Sequence, residues 1–229
     1  TEELRSKVTI DCVVLALLGD FITGYIHEEL EESNAMSPAE AIYEVSDLLD
    51  KGIRLVRKEL KLPIVCLTAR GNHGRTTKKK RIKTSAKNSF EHMMYRMMAR
   101  THQRDEKLTG VEWRISDGYH NWLTLYGRDI RAHHGDAINY WGGVGGITIP
   151  VNKAIAEWNK TRRADLDLFG HYHQRITMRN WICNASSIGH SAYAVEIKAA
   201  FEEPSQAFGV FDKKYGLRNV RPIFVDDQG

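Results

Sequence analysis

Cysteine is scarce. The 229-residue chain has three, Cys12, Cys66 and Cys183, each set among apolar residues. An odd, apolar-flanked set excludes a disulfide framework and predicts buried free thiols in a reducing, cytoplasmic setting. Proline is low at 5 and glycine stands at 18, which excludes a collagenous or Pro/Gly-rich disordered chain. Long apolar runs are also missing. The longest, Cys12 to Leu18, has seven residues, against the roughly 20 a helix needs to cross a bilayer. No membrane partner is therefore expected. The opening residues Thr1 to Lys7 carry no apolar segment and no initiator Met. We expect neither a signal peptide nor an intact start.

What is present is a globular composition, with 42% hydrophobic and 27% charged residues. No linker, repeat or low-complexity segment interrupts it, so a single domain over residues 1–229 is expected. The net charge is a modest +4, but its distribution is uneven. Arg75, Lys78, Lys79, Lys80, Arg81, Lys83 and Lys87 fall together with no acidic residue among them. Removing those seven charges from +4 leaves the rest of the chain at −3. A slightly acidic body carries one basic patch.

The apolar pattern predicts an α/β fold. Cys12 to Leu18 reads as a strand buried on both faces and closed by Gly19-Asp20. Ser37-Pro38-Ala39-Glu40 is a capping box with Pro at the first helical position. The apolar spacing that follows predicts one amphipathic helix over residues 38–61. Pro63 then ends it, and Ile64 to Thr68 is a second buried strand. Strand, helix and strand in this order imply a parallel crossover. Ser89 to Arg100 reads as a helix with Met93, Met94, Met97 and Met98 on a core face. Short strands are predicted at 111–115, 122–126, 130–133, 166–169, 176–178, 181–183, 207–211 and 220–225, and a helix at 150–163.

Four predicted strand ends carry polar residues able to bind metals. They are Gly19-Asp20, Gly71-Asn72-His73, His133-His134-Gly135-Asp136 and Gly170-His171-Tyr172-His173. Such crevices beyond strand termini are where α/β folds hold ligands. A mixed oxygen and nitrogen donor set suits first-row divalent metals such as Mn, Fe or Zn better than Ca or Mg.

These four motifs, in this order from Asp20 to His173, resemble the calcineurin-like metallophosphoesterases. Within that family, the resemblance points toward its DNA-repair nuclease-like or phage branch. The resemblance implies a four-layer α/β/β/α sandwich with mixed sheets and two divalent ions, with Mn foremost and Fe, Zn or Mg as alternatives. By it, Asp20 looks like the carboxylate that bridges both metals. Asn72, His134 and His171 look like the other ligands of the second metal, and His173 like a ligand of the first. His134 is chosen over His133 because the ligand of this pattern directly precedes the glycine. His73 looks like the residue that contacts the phosphate and assists the leaving group.

Two departures stand out. No Asp-x-His precedes Gly19-Asp20, so the first strand is expected to lie upstream and the first metal site to be incomplete in this chain. Gly74 follows His73, where the pattern usually has an acid.

The basic segment begins directly after His73. A small phosphomonoester needs one or two cations, whereas a run of cations suits a polyanion. Arg75, Lys78, Lys79, Lys80, Arg81 and Lys83 are therefore read as nucleic-acid contacts. The expected function is a metal-dependent phosphoesterase acting on DNA or RNA as a nuclease. A phosphatase or cyclic-nucleotide phosphodiesterase with a small substrate is the alternative enzyme. A non-catalytic nucleic-acid-binding module is the alternative of another class. Trp141 to Gly146 is Gly-rich but lacks the Gly-Lys-Ser/Thr of a phosphate-binding loop, so it is read as a flexible loop.

Overall fold

The computed structural model describes residues 9–26, 31–32, 34–140, 142–189 and 201–225, arranged as two units that divide between Asn121 and Trp122. Among them are three α-helices and several sheets, a mixed α/β fold.

In the first unit, β1 (Val13–Leu17) runs parallel to β2 (Ile64–Thr68), with Val13 opposite Ile64 and Leu17 opposite Thr68. On the other side of β2 lies β3 (Val111–Arg114), also parallel. Every residue of β2 is buried, as its unbroken apolar run requires. Between β1 and β2 runs α1 (Pro38–Leu60). Its start is fixed by the capping box: Ser37 accepts from the Glu40 N–H, and the Glu40 carboxylate accepts from the Ser37 N–H at 2.9 Å. Its end is fixed by Lys61, left-handed at φ 53°, whose N–H returns to the Arg57 carbonyl.

Ile42 and Ile53 of α1 pack with Leu17, Ile64 and Cys66 in one core. Into the same core α2 (Phe90–His102) brings Met94, Tyr95 and Met98. Met93 and Met97, read from the sequence as core, are instead exposed. They stand one residue, about 100° around the helix axis, from the buried pair, so a single face cannot hold all four.

In the second unit, β4 (Asn121–Leu125), β5 (Arg128–Ala132), β6 (Leu166–Phe169), β8 (Trp181–Cys183) and β7 (Ile176–Thr177) lie side by side in that order. Strands β5, β6 and β8 are parallel and β7 is antiparallel, so the sheet is mixed. Helix α3 (Thr148–Asn159) packs Val151 and Ile155 against Phe169, Tyr172 and Trp181. It starts two residues before Pro150, a first-turn position whose missing N–H costs nothing. It ends earlier than residue 163 because the Asn159 side chain accepts from the Ala164 N–H at 3.1 Å and turns the chain.

Arg131 and Asp167, register partners on β5 and β6, form a buried two-pronged ion pair at 2.6 and 3.0 Å. The Arg131 guanidinium also lies over the Trp158 ring. The hairpin of β9 (Ser205–Asp212) and β10 (Gly216–Phe224) is longer at both strands than the sequence suggested. Asp212 fixes its turn by accepting from the N–H groups of Lys214 and Tyr215. Among the described residues, no helix is long and apolar enough to cross a membrane. All three cysteines are free thiols, and burial pushes the Cys66 thiol up to about 12.

Candidate metal centre and basic loop

The first unit supplies two motif turns from one sheet edge. Because β1 and β2 are parallel neighbours, their C-terminal ends lie together, and Gly19-Asp20 follows one while Gly71-Asn72-His73 follows the other. Glycine is required on both sides of this junction. A Cβ on Gly19 would run into the Gly71 backbone, and one on Gly71 into the Asp20 carboxylate. With both absent, the His73 N–H donates to Asp20 Oδ1 at 2.9 Å.

The His73 ring is held separately. Its Nδ1 lies 2.7 Å from the Thr23 carbonyl, which can only accept, so Nδ1 carries the proton. Nε2 is then the ring atom available for substrate chemistry.

A residue that the sequence reading missed lies beneath these turns. Glu91, in the first turn of α2, is fully buried. Its Oε1 accepts from the Phe21 N–H at 2.8 Å and its Oε2 from the Gly71 N–H at 2.6 Å. The only hint in the sequence is its spacing, which puts it on the helix face of Met94, Tyr95 and Met98. The Tyr95 phenol is pushed well above its ordinary value, first by burial and then by the negative charges of Glu91 and Asp20.

The second unit supplies the histidine turns, again from one edge, since β5 and β6 are parallel neighbours. His133 and His134 are both buried but differ in surroundings. His133 stacks on Phe169 with ring centroids 5.0 Å apart, and burial holds its pKa down against the raising effect of Asp167. His134 meets His171 edge-on at 5.0 Å. In His171-Tyr172-His173 the middle residue is the anchor, because Tyr172 is buried and its hydroxyl donates to the Ile138 carbonyl.

The residues present suit divalent ions. In the first unit Asp20 offers an oxygen donor, and in the second His134 and His171 offer ring nitrogens. Asp20, His171 and His173 hold φ values of 57°, 71° and 52°. Left-handed backbone on non-glycine residues is costly and concentrates where surrounding structure imposes it for function. The other non-glycine cases among the described residues are Lys61, Tyr126 and Asn219. Lys61 is a helix cap, Tyr126 falls between β4 and β5, and Asn219 lies where β10 shifts register.

The basic segment forms a loop with a closed neck. The Phe90 N–H donates to the Gly74 carbonyl at 2.8 Å and the Thr76 N–H to the Asn88 carbonyl at 3.0 Å. Arg75 is half-buried, and its guanidinium donates to the carbonyls of Asn72, Thr77 and Ile26. Lys78, Lys79, Lys80, Arg81 and Lys83 are exposed. Trp141 lies outside the described residues, and Gly142 to Gly145 are exposed.

No protein-family profile matches the chain, and no curated protein sequence does. Among solved structures, Vps29 of Entamoeba histolytica complexed with zinc gives a TM-score of 0.42 at 13% identity, over 93% of this chain and 99% of that one. Vps29 of Cryptosporidium parvum gives 0.38 at 12% identity, over 92% and 97%. A Streptococcus pneumoniae protein described as a predicted phosphoesterase gives 0.33 at 11% identity, over 75% and 88%.

Proposed function

We propose that the chain is a metal-dependent phosphoesterase that cleaves phosphodiester bonds, with a nucleic acid as substrate. The observation that carries this reading is the pairing of the Asp20 and His73 turns, which joins a carboxylate suited to a metal with a histidine suited to a phosphate. In the second unit, the paired His134 and His171 supply neutral nitrogen donors. Asp20, Asn72, His134, His171 and His173 are the residues that would hold divalent ions. When bound, two such ions neutralise phosphoryl oxygens and acidify a water.

The chain's own side chains divide the remaining work. Asp20 supplies negative charge where cations gather, while Asn72 and the histidines, as neutral donors, would leave most of the cations' positive charge in place. His73 orients a phosphate and, when protonated at Nε2, offers a proton to the leaving oxygen. Lys78, Lys79, Lys80, Arg81 and Lys83, exposed and broken only by Ile82, hold the flanking phosphates of a polymer.

Turnover of an aryl phosphodiester with added Mn²⁺ tests the enzyme reading. Metal-dependent hydrolysis, abolished by chelator and restored by Mn²⁺, is expected. Salt-sensitive binding to DNA or RNA tests the substrate. Hydrolysis of the aryl ester with no polynucleotide binding at low salt would transfer the assignment to a small phosphoester.

A further inference from the structure

Gly74 is the one position of the Gly71-Asn72-His73 turn where this chain lacks the acid that its resemblance calls for. The structure gives a spatial reason. A Cβ on Gly74 would lie 2.9 Å from Cγ of Glu91, closer than real Cβ atoms approach, and 3.1 Å from its Cδ, tighter than most such contacts. Gly74 does not hold a left-handed φ, so glycine is needed here for room, not for backbone freedom. The space a side chain at 74 would fill is taken by the carboxylate arm of Glu91.

That carboxylate ends on two backbone N–H groups, each next to a proposed metal ligand. Phe21 follows Asp20, and Gly71 precedes Asn72. We propose that Glu91 is the positioning carboxylate of this centre, clamping the Asp20 and Asn72 turns from α2 in place of an acid at position 74. The clamp acts on the turns of the metal ligands. His73 is oriented by the Thr23 carbonyl, so its ring is held apart from the clamp.

The chemistry demands a carboxylate. Two N–H donors meet two different oxygens, and both oxygens of an ionised carboxylate accept. A glutamine has one accepting oxygen, and its NH₂ would face an N–H. Nor is burial of the charge accidental, since a buried carboxylate is tolerated when its lone pairs are engaged.

The inference rests on the metal-centre reading, and its test separates the two. Mn²⁺ affinity is measured by calorimetry for the parent, Glu91→Gln, Glu91→Ala, Gly74→Asp and Gly74→Asp/Glu91→Ala, alongside thermal unfolding and amide exchange. Outer residues that orient metal ligands typically contribute about 10–100-fold in affinity. Glu91→Gln should weaken Mn²⁺ binding by about that factor and speed exchange at the Phe21 and Gly71 amides. Gly74→Asp alone should weaken binding by crowding Glu91. The double variant should bind more tightly than either single one, a recovery that a purely structural role for Glu91 does not produce.

Parent-like affinity in Glu91→Gln, or a double variant no better than Glu91→Ala, overturns the clamp. If the parent binds Mn²⁺ but hydrolyses no phosphoester, the enzyme reading fails while the clamp is still judged by affinity. If the parent binds no Mn²⁺, unchanged exchange at Phe21 and Gly71 in Glu91→Gln overturns the clamp. Faster exchange there retains it as a tie between the two turns. Should Glu91→Ala fail to fold, the folded double variant carries the comparison with Glu91→Gln.

Discussion

The His73 N–H donates to the Asp20 carboxylate across a separation of 53 residues, so the two motifs of the first unit are one hydrogen-bonded object. A substitution at either residue therefore tests both a ligand and a turn, and the choice of replacement decides which.

Asp20→Asn keeps an oxygen that can accept from His73 but removes the negative charge. Metal-dependent hydrolysis should fall to the blank rate, with the circular dichroism spectrum unchanged. Retention of more than a tenth of parent turnover would remove Asp20 from the metal centre.

His73→Ala leaves the backbone N–H, and hence the bond to Asp20, intact. Turnover should fall by roughly 10²–10⁴, the usual contribution of a positioned acid or base. Mn²⁺ affinity measured by calorimetry should stay at the parent value. Loss of metal in this variant would make His73 a ligand instead.

Replacing Lys78, Lys79, Lys80 and Arg81 by Ala tests the loop. Four phosphate contacts on a single strand give a slope of about −3 in log affinity against log salt. The quadruple variant should flatten that slope and slow cleavage of polynucleotides, with aryl phosphodiester hydrolysis nearly unchanged. Equal polynucleotide cleavage at equal salt dependence would leave the loop with no substrate role.

Acid should destabilise the first unit through His102. Its Nδ1 accepts from the Trp113 Nε1–H at 3.2 Å, and its Nε2 lies 2.8 Å from Asp50. That pattern needs the neutral ring with its proton on Nε2. Burial pushes the His102 pKa below 6.5 and outweighs the hydrogen bond and charge of Asp50, with Arg54 lowering it and Asp105 raising it further. A base whose folded pKa is depressed contributes stability that is complete above about 6.5 and is lost as pH falls below it. Burial of His92 acts in the same direction. The denaturant midpoint should fall between pH 7 and pH 5, and less so in Trp113→Phe, where the ring can charge without losing a donor. A midpoint that rises on acidification contradicts this account.

Much of the scaffold was legible in the residue order, for identifiable reasons. Strands β2, β6 and β8 match the sequence reading residue for residue, being short, mostly apolar stretches with Pro, Gly or Asn beside at least one end. Helix α1 was bounded by Ser37 and Pro63, which act locally. The hairpin was cut short because β9 and β10 are largely half-exposed or exposed, so their ends carry little apolar signal. Glu91 was illegible for a different reason. Its partners lie 70 and 20 residues away, and beyond its place on the Met94 face nothing local separates a buried carboxylate from a solvated one. Choosing His134 over His133 relied on a following glycine, and the structure adds the contrast between a ring stacked on Phe169 and one beside His171.

The closed neck between Gly74 and Phe90 makes residues 75–88 a detachable appendage. The hydrogen bonds described for Asp20, His73 and Glu91 go to partners outside the ring it closes, and Arg75, at the neck, is its tie to the Asn72 carbonyl. The entropy of closing such a ring grows only slowly with its circumference, about 0.6 kcal/mol per doubling of length. Sequences of other lengths and charges can therefore be grafted across the same neck without rebuilding the centre beneath it. On the proposed reading, substrate choice and hydrolytic chemistry would be separately heritable, one written in the tether and the other in its anchorage.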